Sequence, residues 1–73
     1  MSEYNVNLVW DSEAAVWIAV SDDIPGLALE SGSFDALIER VRYAVPELLE
    51  LNKMPYSDTS IYFRAERRER THI

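Results

Sequence analysis

The stretch Ser21-Asp22-Asp23-Ile24-Pro25-Gly26-Leu27 decides how this chain folds, because it separates two apolar segments and must be either a corner or an acidic site. Pro25 fixes its own φ and Gly26 admits a positive one, so the pair turns the chain sharply. An aspartate at position 23 fits such a corner by hydrogen-bonding backbone two residues on. Asp22 and Asp23 are neighbours in extended chain, so their side chains point to opposite faces and cannot share a proton as a catalytic pair would. Asp23, Pro25 and Gly26 are therefore read as a structural turn between two strands.

Working outward toward the N-terminus, Ala15-Val16-Trp17-Ile18-Ala19-Val20 is β-branched and aromatic and predicts a strand over about 15–21. Before it, Tyr4-Asn5-Val6-Asn7-Leu8-Val9-Trp10 alternates with a period of two and predicts a strand over about 3–10. The polar link Asp11-Ser12-Glu13-Ala14 makes the two a hairpin. A turn centred on Ser12-Glu13 would set Leu8 opposite Trp17, Val6 opposite Ala19 and Val9 opposite Val16. Toward the C-terminus, a short strand over about 27–30 leads to Ser33, a helix N-cap with Asp35 in the first turn. Phe34, Leu37, Ile38, Val41, Val45, Leu48 and Leu49 then recur at helical spacing, predicting a helix over about 34–51 that Pro46 kinks or divides into two pieces. Ile61, Phe63 and Ala65 alternate in a last strand over about 59–67.

The order βββαβ predicts an α+β fold: one four-stranded antiparallel or mixed sheet with a helix packed on one face, forming a single domain over residues 1–73. The helix is expected on the side of Tyr4, Val6, Leu8, Trp10, Trp17 and Ala19. That leaves Val9, Val16, Ile18 and Val20 on the opposite face, and an apolar patch of this kind is seldom left bare. These four residues are the candidate self-association face. Size argues the same way. A chain of 73 residues buries only about 60% of the surface it exposes when unfolded. It has no cysteine for disulfides and a single histidine, His72, in a charged tail. Neither disulfides nor a structural metal can supplement the core, so a homodimer is the expected route to stability.

The chain carries 7 Lys and Arg against 13 Asp and Glu, a net charge of −6. The excess of acid lies before residue 64, and four arginines follow it: Arg64, Arg67, Arg68 and Arg70. An acidic body repels phosphate and steers a basic partner toward itself. Asp22, Asp23, Glu39, Glu47 and Glu50 form the expected acidic partner surface. The four arginines are the alternative nucleic-acid contacts of a small binding module. Glu66 and Glu69 dilute their field, and charged residues commonly guard an edge strand, so a solvated strand end is the simpler reading. No nucleotide-binding, metalloprotease or nucleophile-elbow motif occurs, and His72 stands in a fraying tail. The expectation is a non-enzyme without cofactor or metal. No apolar run reaches the length of a membrane span and the N-terminus lacks a secretory pattern, which makes the expected location cytoplasmic.

One further reading comes from particular motifs. The Tyr-x-Val-x-Leu strand, Val16-Trp17-Ile18-Ala19, the Asp23-Ile24-Pro25-Gly26-Leu27 corner, Phe34-Asp35-x-Leu37 and Pro46-Glu47-Leu48-Leu49-Glu50-Leu51-Asn52 resemble the HicB-like antitoxin superfamily, in its short, uncharacterised branch without a C-terminal DNA-binding module. The resemblance implies a truncated ribonuclease-H-like sheet lacking catalytic carboxylates. It also implies a function: neutralising a small basic toxin, an mRNA interferase, by binding it. A dimeric domain without any toxin partner is the remaining alternative.

Overall fold

The computed structural model describes residues 2–71, so His72 lies outside the described residues. The elements are β1 (Ser2–Asp11), β2 (Val16–Val20), β3 (Ala28–Ser31), α1 (Phe34–Leu51) and β4 (Thr59–Glu66). They form one four-stranded sheet in the order β3-β2-β1-β4. Neighbours β1 and β2, and β2 and β3, pair antiparallel, whereas β4 lies parallel to β1. The sheet is thus mixed, and α1 carries the chain from the β3 edge to the β4 edge. Among the described residues no helix is long and apolar enough to cross a membrane.

The β1–β2 hairpin turns later than its sequence suggests. Its register pairs Leu8 with Ala19, Val9 with Ile18 and Trp10 with Trp17, so the predicted pairs of Leu8 with Trp17, Val6 with Ala19 and Val9 with Val16 are not made. The cause is the loop Ser12–Ala15. Asp11 Oδ1 accepts hydrogen bonds from the backbone of Glu13 and Ala14, at 3.0 and 3.2 Å, and Ala15 takes the left-handed conformation at φ 55°. An aspartate that caps the loop in this way ends β1 one residue later and moves the four-residue turn along the chain by one position. Because the slip is two residues, every side chain keeps its face.

The core lies between α1 and one sheet face. Tyr4, Val6, Leu8 and Ala19 from the sheet, Ile24 and Leu27 from the corner, and Leu37, Val41, Val45 and Leu49 from the helix are buried. Each of the larger aliphatic side chains contributes about 1.5–3 kcal/mol by leaving water. The helix begins at Ser33, whose side chain accepts from the Ala36 backbone amide at 3.2 Å. It runs unbroken through Pro46, so it is one helix and not two pieces. Pro46 has no N–H to offer the carbonyl of Arg42, but both residues are exposed, and solvent can take up that carbonyl. At the C-terminal end, Lys53 sits at φ 54°, its amide donates to Glu50 O, and the Met54 amide donates to Leu49 O. This is a Schellman ending with lysine where glycine is usual. Tyr4 Oη then donates to Pro55 O at 2.7 Å, fixing the exit loop to β1.

Candidate functional site

Among the described residues no element covers the side of the sheet away from the helix, and the residues of that side fall into rows set by the strand register. Glu30, Ile18, Val9 and Glu66 form one row across β3, β2, β1 and β4, and Ala28, Val20, Asn7 and Arg64 form the next. Val16 and Asp11 pair beyond the first row, and Asn5 and Tyr62 beyond the second. Val9 is 43% exposed, Val20 40% and Tyr62 51%, while Val16 and Ile18 are half-buried by their neighbours. All four residues of the candidate self-association face thus lie together on one open, apolar-centred surface. Charged and amide side chains border it. A shallow hollow of about 340 Å³, lined by Asn7, Leu8, Val9, Val20, Arg64 and Glu66, lies beside the β1–β4 seam.

A second hollow, of about 270 Å³, adjoins it and is lined by Asn5, Asn7, Asp22, Asp23 and Arg64. Its wall is the corner 21–27, whose construction differs from the local one expected. Ile24 O accepts from the Leu27 amide at 3.3 Å around Pro25 and Gly26, and Gly26 has φ 86°. These are the features of a type II turn. Asp23 does not bond its own backbone. Its Oδ2 accepts from the Asn5 backbone amide at 2.7 Å and from Asn5 Nδ2 at 3.1 Å. The local lock belongs to Ser21, whose Oγ accepts from the amides of Asp23 and Ile24 and donates to Asn5 O. The physical sense is clear from the register. β2 ends at Val20 opposite Asn7, so Asn5 has no strand residue on that side, and two side chains replace the missing ladder bonds. Asn52 Nδ2 closes the far side of the corner by donating to Pro25 O at 3.3 Å.

The acidic residues do not form a single surface. Asp22 and Asp23 line the open sheet face, whereas Glu39, Glu47 and Glu50 are exposed along the helix that covers the other face. Glu39 is 3.5 Å from Arg42. The arginines divide as well. Arg64 stands on the open face beside Asn7, and Arg67 lies 4.0 Å above the ring of Trp10 while pairing with Glu69. Trp10 meets Trp17 edge-on at 5.5 Å, and Trp17 meets Phe34 at 4.9 Å. Arg68 and Arg70 follow β4 in exposed chain. Sequence reasoning missed Ser21 and Asn5 as fastenings, and Tyr62 and Glu66 as parts of the open face. The alternation of β4 could have placed the last two once its neighbour was known. Arg40 was also missed: its Nη1 donates to Glu30 O at 2.9 Å, on edge strand β3.

Comparison with known proteins relates the chain to a family and to a solved structure. The family described as "Domain of unknown function (DUF1902)" matches residues 3–73. The crystal structure of a hypothetical protein from the extremely thermophilic bacterium Thermus thermophilus is similar with a TM-score of 0.82 and 37% identity, covering 94% of this chain and 99% of that one. No curated protein matches the chain.

Proposed function

This chain belongs to the DUF1902 family, and we propose that it is a non-catalytic protein-interaction domain of the HicB-like antitoxin type that pairs with a second copy through its uncovered sheet face. The observation that carries the reading is that face itself. Val9, Val16, Ile18 and Val20 make an apolar centre on a sheet that no element among the described residues covers, and a core of ten buried residues among those described leaves a small domain with much to gain from covering it. The paired carboxylates fit this reading better than a catalytic one, because Asp23 is occupied in fastening the corner to Asn5. The fold that goes with the proposal is a truncated ribonuclease-H-like sheet.

Pairing of the sheet faces leaves the helix surface with Glu39, Glu47 and Glu50 free for a basic partner. A small basic toxin of the mRNA-interferase type fits its charge, which would act through steering and the choice of partner. The test is solution mass by light scattering. The unmodified chain should show twice its 8.4 kDa, and Ile18→Lys, which puts a charge into the centre of the face, should give a monomer with an unchanged far-ultraviolet circular dichroism spectrum. A monomeric unmodified chain at high micromolar concentration would overturn the reading.

A further inference from the structure

We propose that the two copies stack about a twofold axis that lies between the sheets, runs across the strands and passes midway between the Asn7 and Val9 rows, so that Arg64 of each copy meets Glu66 of the other. The inference rests on the self-association reading above and gives it a geometry. A twofold interface must be complementary to itself, and placements that lay Val9, Ile18 and Val20 of each copy on the other sheet can be told apart by the charges they oppose. Rows on one face of a strand are spaced by two residues, about 6.8 Å, and packed sheets lie about 10 Å apart. Long side chains from both sheets can therefore meet across the gap.

Consider the placements in turn. An axis through the Val9 row sets Glu66 against Glu66 of the second copy and Glu30 against its own counterpart. An axis through the Asn7 row sets Arg64 against Arg64. An axis along the strands, between β1 and β2, swings β4 over β3 and brings Glu66 onto Glu30 twice. Each of these opposes like charges, given that Arg64 shares a row with Asn7, Val20 and Ala28, and Glu66 with Val9, Ile18 and Glu30. Like charges facing each other in an interface are strongly unfavourable. Midway between the rows the result reverses. Arg64 meets Glu66 at two symmetric places, Ile18 packs on Val20, and Glu30 faces Ala28, which carries no charge. The hollow beside the β1–β4 seam is lined by Asn7, Val9, Arg64 and Glu66, so it lies where the two copies would interdigitate.

Two charge reversals test this. In Arg64→Glu both pairs become acid against acid, and in Glu66→Arg both become base against base. Each variant alone should dimerise at least about tenfold more weakly than the unmodified chain, measured by sedimentation across a dilution series. Mixed in equal amounts, the two variants form a heterodimer in which both pairs have opposite charges. Its affinity should return to within about threefold of the unmodified dimer, and native mass spectrometry should find it in excess of either homodimer. Both side chains are exposed, and circular dichroism of each variant checks that the fold is kept. If the unmodified chain dimerises but the mixture shows no preference for the heterodimer, the geometry is wrong and self-association stands. A monomeric unmodified chain overturns both.

Discussion

Replacing Gly26 with alanine tests the corner most directly, and its effect can be worked from two structural facts. The residue has φ 86°, and a Cβ built on it would come 3.3 Å from Leu48 Cδ2. The left-handed backbone costs a non-glycine residue about 1–2 kcal/mol. The contact adds a few tenths, because the tip of Leu48 must shift slightly. Against this, alanine restricts the unfolded chain and returns about 0.4–1 kcal/mol. The net loss is about 1 kcal/mol, or a fall of about 4–8 °C in Tm for a domain of this size. Gly32→Ala is the internal control. There the nearest atom to an added Cβ is Ala15 O at 3.7 Å, an ordinary contact, and no positive φ is required. The unfolded-state gain should then stand alone, so this variant should be neutral or slightly stabilised. Urea unfolding at matched protein concentration measures both, since the proposed dimerisation would make stability depend on concentration. Equal stabilities for the two variants, at unchanged m-value, would refute the assignment of Gly26 to a conformation that only glycine takes without cost.

Two further substitutions probe the fastenings. Asp23→Ala should lose about 1–2 kcal/mol, the value of hydrogen bonds to a charged acceptor at a site that solvent partly reaches. The Asn5 amide should also exchange its hydrogen markedly faster, and an unchanged exchange rate would show that Asp23 does not hold it. Lys53→Gly should gain about 0.5 kcal/mol by relieving the left-handed position at the helix end, visible as a higher melting temperature with the same helix content.

Much of the architecture could be read from local chemistry, and the misses share a cause. The alternation of β1, the cap at Ser33 and the helical spacing from Phe34 to Leu49 act over a few residues, and they produced the α+β arrangement with the helix on the Val6 and Leu8 side. The hairpin register slipped because one side chain, Asp11, took over the loop. Two residues of slip leave parity unchanged, so the open face of Val9, Val16, Ile18 and Val20 was still legible. Pro46 reads as a break in the sequence because nothing local shows that the Arg42 carbonyl it leaves unpaired faces water. What could not be read were choices of distant partner. The parallel neighbour of β4 depends on where α1 sets the chain down, and Asp23 reaches Asn5 across 18 positions of sequence. Arg67 illustrates the same limit, since its place over Trp10 follows only from the β1–β4 register.

That register also divides β1 in time. Its second half, Asn7–Asp11, pairs with β2 across a short loop, a closure that chains make within microseconds. Its first half finds its strand neighbour only in β4, where Ser2 pairs with Thr59 and Val6 with Phe63. Those bonds join residues more than fifty positions apart, and contacts so distant in sequence form slowly. The same order should run backward under native conditions: β4 and the first half of β1 open together, while the hairpin half of the same strand stays closed. A strand that is continuous in space is therefore expected to open in two parts, which amide exchange resolved along β1 would show as faster exchange in Ser2–Val6 than in the hairpin half.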